Sequence, residues 1–148
     1  MKVFIGSDHG GFELKKQIIE AISDMYEVED LGPFELNPDD DYPDYAKKVA
    51  ESIAREDAAR GVLICRSGNG VAIAANKIKG AYAAVCFSKH HAEMAVIDDN
   101  ANICCLDADY EGENPVEIVK SFLSSEFAGM ETRHGRRFQK IQEMEKRD

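Results

Sequence analysis

A thiol that precedes a glycine-rich segment is the feature of this sequence that most clearly could do chemistry. Cys65 ends an apolar run at residues 62–64, and Ser67-Gly68-Asn69-Gly70 follows after one residue. With the alanine-rich residues 71–77, this pattern predicts a strand, a loop and a helix. Such a loop can hold an anion, because the first turn of a helix has N–H groups without partners. Cys65 is therefore either a small core residue or a thiolate able to attack a carbonyl or remove a proton.

An acid and an imidazole follow the first apolar run of the chain. Asp8-His9 comes directly before Gly10-Gly11 and a helical pattern. In one interpretation, Asp8 is a helix N-cap followed by conformationally permissive glycines. In the other, the carboxylate and the ring of His9 reach a substrate at the edge of a sheet.

Charged residues of the second half of the chain offer a third candidate group. Arg133 and Arg137 are four residues apart, so they share one helix face and could clamp a phosphate, with His134 beside them. The same segment could equally be a solvated basic helix. Asp98-Asp99 could be part of a plain turn or could offer a carboxylate to a substrate hydroxyl.

Composition excludes several classes of function. The chain has 148 residues and a net charge of −10, which argues against a nucleic-acid-binding protein. Its four cysteines form no zinc or disulfide pattern, so we expect a reducing cytoplasm. No apolar run approaches the roughly 18 residues of a membrane span, and the first residues do not resemble a signal peptide.

The elements that must position these residues alternate between strand and helix. The predicted strands are residues 2–7, 26–31, 61–65, 81–87 and 102–106, and the predicted helices are residues 12–25, 45–56, 71–77, 88–97, 116–127 and 133–146. This alternation predicts a single domain over residues 1–148, a Rossmann-like three-layer α/β/α sandwich with a five-stranded parallel sheet and an extra C-terminal helix. Ligands of such sheets bind beyond the carboxyl ends of the strands, where Asp8-His9, residues 65–70, Phe87 and Asp107 should lie.

Four motifs in this order resemble one known family over nearly the whole chain. They are Gly6-Ser7-Asp8-His9-Gly10-Gly11-Phe12-Glu13-Leu14-Lys15, Asp41-Tyr42-Pro43-Asp44-Tyr45-Ala46, the Cys65 loop that runs into Ile73-Ala74-Ala75-Asn76-Lys77, and Arg133-His134 with Arg137. The chain is similar to the sugar-phosphate isomerases of the ribose-5-phosphate isomerase B / galactose-6-phosphate isomerase subunit family.

The resemblance implies an aldose–ketose isomerase that needs neither a metal ion nor an organic cofactor. Through an enediolate, it would convert ribose 5-phosphate to ribulose 5-phosphate in the pentose phosphate pathway. The implied partners are a small sugar phosphate and a second copy of the chain, as a homodimer or dimer of dimers with sites between subunits. Nucleic acid and membrane partners are not expected. The alternatives are a non-catalytic phosphosugar-binding or regulatory protein on the same fold, or a galactose-6-phosphate-type subunit that needs a different partner chain.

The resemblance also assigns roles to individual residues. Cys65 is the base that moves the proton between C1 and C2, Ser67 assists at the substrate oxygens, and Asp98 stands where the family has the group that opens the sugar ring. Backbone amides of residues 66–70 hold the enediolate oxygen. The implied substrate-binding residues are Asp8, His9, Tyr42, Arg66, Gly68, Asn69, Gly70, Asp99, Arg133, His134 and Arg137.

Besides Ser67, which stands where the family has threonine, four residues depart from the family's pattern. Arg66 stands where the family has glycine, Asp98-Asp99 stands where it has His-Asn, and Asp109 stands where it has a phosphate-binding arginine. An acid at position 109 would repel a phosphate. Either Arg66 takes over that charge, or the substrate differs from a simple pentose 5-phosphate, or catalysis is lost. We expect Arg66 and Asp109 to be linked, with Arg66 replacing the lost cation.

Overall fold

The predicted α/β/α sandwich is confirmed by the computed structural model, which describes residues 1–146. Its strands are β1 (Lys2–Ser7), β2 (Glu27–Asp30), β3 (Arg60–Cys65), β4 (Ala83–Val85) and β5 (Ile103–Asp107). Its helices are α1 (Phe12–Ile22), α2 (Tyr42–Arg55), α3 (Asn69–Ala75), α4 (Lys89–Ile97), α5 (Pro115–Ser124) and α6 (Arg133–Met144), with a short 3-10 helix at His9–Gly11. All strand pairs are parallel, in the order β2-β1-β3-β5-β4.

The sheet is buried on both faces because its strands carry apolar residues at consecutive positions. On β3, Val62 and Ile64 pack toward α1, α4 and α5, whereas Leu63 and Cys65 pack toward α2 and α3. Successive side chains of a strand point to opposite faces, so one apolar run supplies both cores. Cys65 therefore lies on the face covered by α2 and α3.

Register brings the ends of the central strands to one edge. Ser7 of β1 lies opposite Ile64 of β3, and Cys65 lies opposite Asp107 of β5. The loops that follow β1, β3 and β5 therefore leave the sheet at the same level, which is the edge where the sequence predicted a ligand.

Three predicted helix caps are present. Ser88 Oγ, Asn114 Oδ1 and Thr132 Oγ1 accept hydrogen bonds from the backbone N–H groups of His91 (3.0 Å), Val116 (2.9 Å) and Gly135 (3.3 Å). These contacts satisfy donors that the first helical turn leaves free. The helices α4, α5 and α6 begin at the positions that the sequence predicted, to within one residue.

Several predicted element bounds were wrong by two or three residues. β4 spans Ala83–Val85 rather than residues 81–87. Ahead of it, the Tyr82 N–H donates to the side chain of Asn102 (2.8 Å) instead of a neighbouring strand. α5 ends at Ser124 rather than at residue 127 because Ser125 has an extended backbone, and α1 ends at Ile22 rather than at residue 25. In the described part of the chain, no helix is long and apolar enough to cross a bilayer.

Candidate active site

Three loops at the carboxyl edge of the sheet are joined by backbone hydrogen bonds. The N–H of Asp8 donates to the carbonyl of Ile64 (3.3 Å), and that of Ala108 donates to the carbonyl of Cys65 (3.0 Å). The N–H of Asp109 donates to the carbonyl of Arg66 (3.2 Å). The loops after β1, β3 and β5 therefore hold one another in place, as a preorganised site requires.

Cys65 is held where a backbone amide meets its sulfur. The side chain is buried, with 4% of the residue exposed, and its Sγ accepts a hydrogen bond from the N–H of Gly68 (3.2 Å). Gly68 has φ of +79°, and a Cβ there would lie 3.0 Å from the carbonyl carbon of Leu106. Only glycine fits this turn comfortably. An N–H group aimed at sulfur stabilises a thiolate, so the turn supports the functional interpretation of Cys65.

The other three cysteines are core residues, as predicted. Cys86, Cys104 and Cys105 are all buried and free. A hydrogen bond with Cys86 and burial raise the pKa of Cys104, and burial raises the pKa of Cys105. Both of these thiols are therefore stabilised in the neutral form.

The rest of the glycine loop carries small polar groups beneath an aromatic ring. Ser67 Oγ accepts a hydrogen bond from the N–H of Asn69 (3.2 Å), and both residues are exposed. A Cβ at Gly70 would lie 2.6 Å from ring carbons of Tyr42. The missing side chain therefore lets the ring of Tyr42 pack directly on the loop at Gly70.

Asp8 and His9 lie at the same edge. Asp8 is buried, and its Oδ1 accepts the N–H of Gly11 (3.2 Å), so it caps the 3-10 helix as one of the two interpretations predicted. His9 contacts a residue that the sequence analysis did not identify. Its Nδ1 and its backbone N–H both bond to Oδ1 of Asp40, at 2.8 and 2.9 Å. The acidic run at residues 39–41 gave no indication of which carboxylate turns inward.

The two charged departures from the family's pattern are in contact. Arg66 Nη1 lies 3.5 Å from Oδ2 of Asp109, and both side chains are more than half exposed. The stem of Arg66 crosses Gly10, where a Cβ would lie 2.6 Å from Cγ of Arg66. Arg66 and Asp109 are therefore in contact, whereas the expectation that Arg66 replaces the lost phosphate-binding cation stays a prediction.

The remaining predicted site residues lie at the opposite edge of the sheet. α4 runs back from the carboxyl edge and ends at Ile97, whose carbonyl accepts the N–H of Ala128 (3.0 Å). Asp98 follows, with Oδ1 3.6 Å from Nε2 of His134. The two edges of the sheet are one strand length apart, which is about 16 Å for the five residues of β5 at roughly 3.3 Å per residue.

Exposed charges surround that second group. Asp99, Arg133 and Arg137 are exposed, and the two arginines have no ion pair within residues 1–146. One chain therefore does not bring the Asp98 and Arg133 group to Cys65. The predicted residues fall into a carboxyl-edge group and an amino-edge group.

The carboxyl-edge group combines a buried thiol, directed amides, an acid and an imidazole. Such an arrangement can remove a proton beside a carbonyl and stabilise the negative charge that develops. Within the described residues, no cluster of three or more His, Cys, Asp or Glu side chains is arranged to hold a metal ion. The predicted lack of a cofactor stays a prediction.

Comparison with known proteins agrees with this chemistry. A family model described as Ribose/Galactose Isomerase matches residues 3–141. The chain is 44% identical over 148 residues to the probable ribose-5-phosphate isomerase B of Mycoplasma genitalium, covering 97% of this chain and 95% of that protein. It is 37% identical over 131 residues to D-erythrulose-4-phosphate isomerase 2 of Mycolicibacterium smegmatis, covering 86% of each.

A solved structure resembles the whole fold. Ribose-5-phosphate isomerase B from Mycoplasma genitalium with bound ribulose-5-phosphate superposes with a TM-score of 0.93 at 42% identity, covering 99% of this chain and 97% of that one. The family predicted from the four sequence motifs is confirmed.

Proposed function

Since the chain belongs to the Ribose/Galactose Isomerase family, we propose that it interconverts ribose 5-phosphate and ribulose 5-phosphate through an enediolate. The observation that carries the proposal is the hydrogen bond from the N–H of Gly68 to Sγ of Cys65. It directs a backbone donor at the thiol that ends β3, which suits that thiol to proton transfer. The relative with bound ribulose-5-phosphate, at a TM-score of 0.93, supports this choice of sugar.

Cys65 is the base of the proposed mechanism. Its thiolate removes the proton on C2 of the open-chain aldose, the C2–H electrons form the C1–C2 double bond, and the carbonyl oxygen on C1 becomes negative. Amides of residues 66–70 stabilise that oxygen, with Ser67 assisting. Cys65 then returns the proton to C1, which takes it up with the electrons of the C1–C2 double bond. The proton of the C2 hydroxyl passes to the negative oxygen on C1, so C2 becomes the ketose carbonyl and C1 carries a hydroxyl.

The base and the donors to the negative oxygen each contribute to the rate by a known order of magnitude. A positioned base contributes roughly 10²–10⁴ in rate, and loss of one donor to a developing oxyanion costs about 10²–10³. The Cys65 loop supplies the base and the donors from one segment, so their relative geometry is fixed by the turn at Gly68.

In this proposal, the carboxyl-edge group and the amino-edge group both contact the substrate. At the carboxyl edge, Asp8, His9, Tyr42, Arg66, Gly68, Asn69 and Gly70 contact the sugar phosphate. From the amino edge of a second subunit come Asp98, which opens the sugar ring, and Asp99, Arg133, His134 and Arg137. The phosphate supplies binding energy that orients the reacting carbons.

A homodimer or dimer of dimers is part of the proposal. Its support is that Cys65 and the group around Asp98 lie at opposite edges of the sheet, so one chain does not bring them together. In a two-fold dimer, a residue of one chain can contact a different residue of its partner, and the reverse contact forms as well. A single domain over residues 1–148, independence of metal and organic cofactor, and a cytoplasmic location complete the proposal. The location is supported by four buried cysteines that remain free.

A substrate panel in D2O, followed by NMR, tests the reaction. The panel holds tetrose, pentose and hexose phosphates, and we expect interconversion and deuterium incorporation at C2 with ribose 5-phosphate. Cys65→Ala should lower kcat by about 10²–10⁴. The matched control is Cys86→Ala, which also removes a buried thiol. It should leave kcat within about threefold, because Cys86 lies in the core on the other face of the sheet. No exchange with any sugar, or equal losses in both variants, would refute the mechanism.

A non-catalytic sugar-phosphate-binding protein is the second candidate. It is favoured by the Asp109 carboxylate at the carboxyl edge and by Asp98, whose partner His134 occupies it. Tight binding without turnover in the same panel would support it. Turnover that appears only after a different subunit is added would instead support a galactose-6-phosphate-type pair.

A further inference from the structure

We propose that Asp40 is a positioning residue that fixes the imidazole of His9 so that Nε2 is presented to the sugar phosphate. The inference rests on the proposed function, in which His9 contacts the ligand. It adds a residue that neither the sequence motifs nor the family resemblance identified.

One carboxylate oxygen holds both the backbone and the ring of His9. Oδ1 of Asp40 accepts the His9 N–H at 2.9 Å and lies 2.8 Å from Nδ1. These two bonds fix the peptide and the ring at once, across 31 residues of sequence. The side chain of Asp40 is only 5% exposed, whereas that of His9 is 29% exposed. The carboxylate is therefore behind the ring, and the imidazole is the part that a ligand can reach.

The well-formed contacts of the Asp40 carboxylate are those with His9. Oδ2 of Asp40 is buried and has no hydrogen bond of good geometry among residues 1–146. Tyr45 lies beside it, and burial, the negative charge of Asp40 and a side-chain hydrogen bond with Asp40 raise the pKa of Tyr45. The two short contacts of Oδ1 therefore favour a role of Asp40 in holding His9.

The contact with Asp40 also decides which ring nitrogen is available. A carboxylate accepts hydrogen bonds, so Nδ1 carries a hydrogen whether His9 is neutral or charged. Nε2 then accepts from a sugar hydroxyl in the neutral ring or donates to a phosphate oxygen in the charged ring. Nε2 has no partner among the described residues. Asp40 therefore sets the tautomer and the orientation together, as carboxylates do for metal-bound histidines.

A second anchor keeps the Asp40 loop in place. Lys15 is buried, and its Nζ donates to Oδ1 of Asp30 (2.7 Å) and to the carbonyl of Pro33 (2.6 Å). The N–H of Asp40 itself donates to the carbonyl of Asn37 (3.2 Å). The loop between β2 and α2 is thus anchored at its start by Lys15 and shaped near Asp40 by a local turn, which helps it to hold a carboxylate against His9.

The tautomer of His9 tests the inference directly. Nitrogen-15 NMR of the histidine rings, assigned with His9→Gln, should show a protonated Nδ1 in the unchanged protein. Asp40→Ala should give a mixture of tautomers and lower kcat/KM for ribose 5-phosphate by about 10–100-fold. Asp40→Asn keeps an oxygen acceptor, so it should keep the tautomer and recover most of the loss. Asp39→Asn removes an exposed neighbouring charge and should change neither readout.

Two results would overturn the inference. One is an unchanged tautomer in Asp40→Ala, with or without a kinetic loss; the other is an equal change in Asp39→Asn. Thermal unfolding of each variant checks the fold, and Asp40→Asn remains informative if the alanine variant unfolds. If the unchanged protein converts no sugar phosphate, the proposed function fails. The tautomer and the affinity for inorganic phosphate then still decide the role of Asp40.

Discussion

At the scale of single residues, the contact between Arg66 and Asp109 determines how easily the Arg66 guanidinium can bind a phosphate. Exposed ion pairs contribute roughly 0–1 kcal/mol to stability, so this pair is a poor structural device. Its partners are 64% and 58% exposed, and the stem of Arg66 is held over Gly10. A phosphate dianion can therefore compete with Asp109 for the guanidinium at little cost. We therefore expect the Arg66 guanidinium to leave Asp109 and to pair with the phosphate of a bound ligand.

This competition predicts opposite effects of the two partners on phosphate affinity. Arg66→Gly removes a charge-assisted hydrogen bond of about 1.5–3 kcal/mol and should raise the Kd for inorganic phosphate by roughly 10–100-fold. Asp109→Asn frees Arg66 and should lower that Kd. Isothermal titration measures both, with Lys47→Ala as a control that removes an exposed cation from α2. Unchanged affinity in Arg66→Gly would mean that Arg66 does not replace the lost cation.

Single-residue patterns predicted part of the carboxyl-edge group and missed the rest for a physical reason. Cys65, Asp8 and His9 were identified because each follows a strand at a position fixed by the apolar run before it. Asp40 was missed because it lies in a loop without apolar periodicity, among three consecutive acids. The tertiary contact with His9 decides which of those carboxylates turns inward, and this contact cannot be predicted from composition.

At the scale of elements, the alternation of strands and helices was predictable but the ends of several elements were not. Apolar runs and capping residues fixed where β3, α4, α5 and α6 begin, to within one residue. β4 was predicted too long because side-chain amides replace the strand ladder around it. Asn76 bonds to both the N–H and the carbonyl of Ala83, at 2.8 and 3.0 Å. A side-chain bond of this kind is not visible in hydrophobic periodicity.

The attachment of α6 depends on a phenol–carboxylate contact. Glu145, just beyond the helix, accepts hydrogen bonds from the hydroxyl of Tyr82 (2.9 Å) and from the N–H of Gly80 (3.0 Å). The ring of Tyr82 packs edge-on against Phe138 at 4.8 Å. Burial, and then the bond to Glu145, raise the pKa of Tyr82 to about 12 from its ordinary value of 10.0.

This shift predicts a loss of stability in strongly alkaline solution. Between pH 10 and 12 the unfolded phenol loses its proton before the folded one, so the free energy of unfolding falls as pH rises. The contribution of Tyr82 should be complete below pH 10 and lost by pH 12. Denaturant unfolding of the unchanged protein and of Tyr82→Phe measures the difference. Glu145→Gln should reduce the alkaline drop, and a drop of equal size in Tyr82→Phe would contradict the assignment.

At the scale of the whole molecule, topology separates the two groups of site residues. Each right-handed crossover returns the chain from the carboxyl edge to the amino edge of the sheet. Cys65 therefore lies at one edge, while Asp98 at the end of α4 and Arg133 at the start of α6 lie at the other. The family resemblance implied a site between subunits, and strand order alone would not have indicated which surfaces of two chains meet.

A shared site predicts that two defective chains restore activity to each other. Cys65→Ala and the double variant Arg133→Ala/Arg137→Ala should each be nearly inactive as homodimers. In a heterodimer isolated through two different tags, each site takes Cys65 from one chain and the arginines from the other. One site therefore carries all the defects, and the other site is intact. We expect about half of the unchanged protein's activity per dimer.

The alternative arrangement gives a different result in the same experiment. If one chain supplied every group to its own site, each site of the heterodimer would carry one defect, and activity would stay at the level of the homodimers. A heterodimer of two differently tagged Cys65→Ala chains controls for the tags and should remain inactive. Restored activity in the first heterodimer and none in the second would require Cys65 of one chain to work with the arginines of the other. That result would make the dimer, rather than the chain, the smallest catalytic unit.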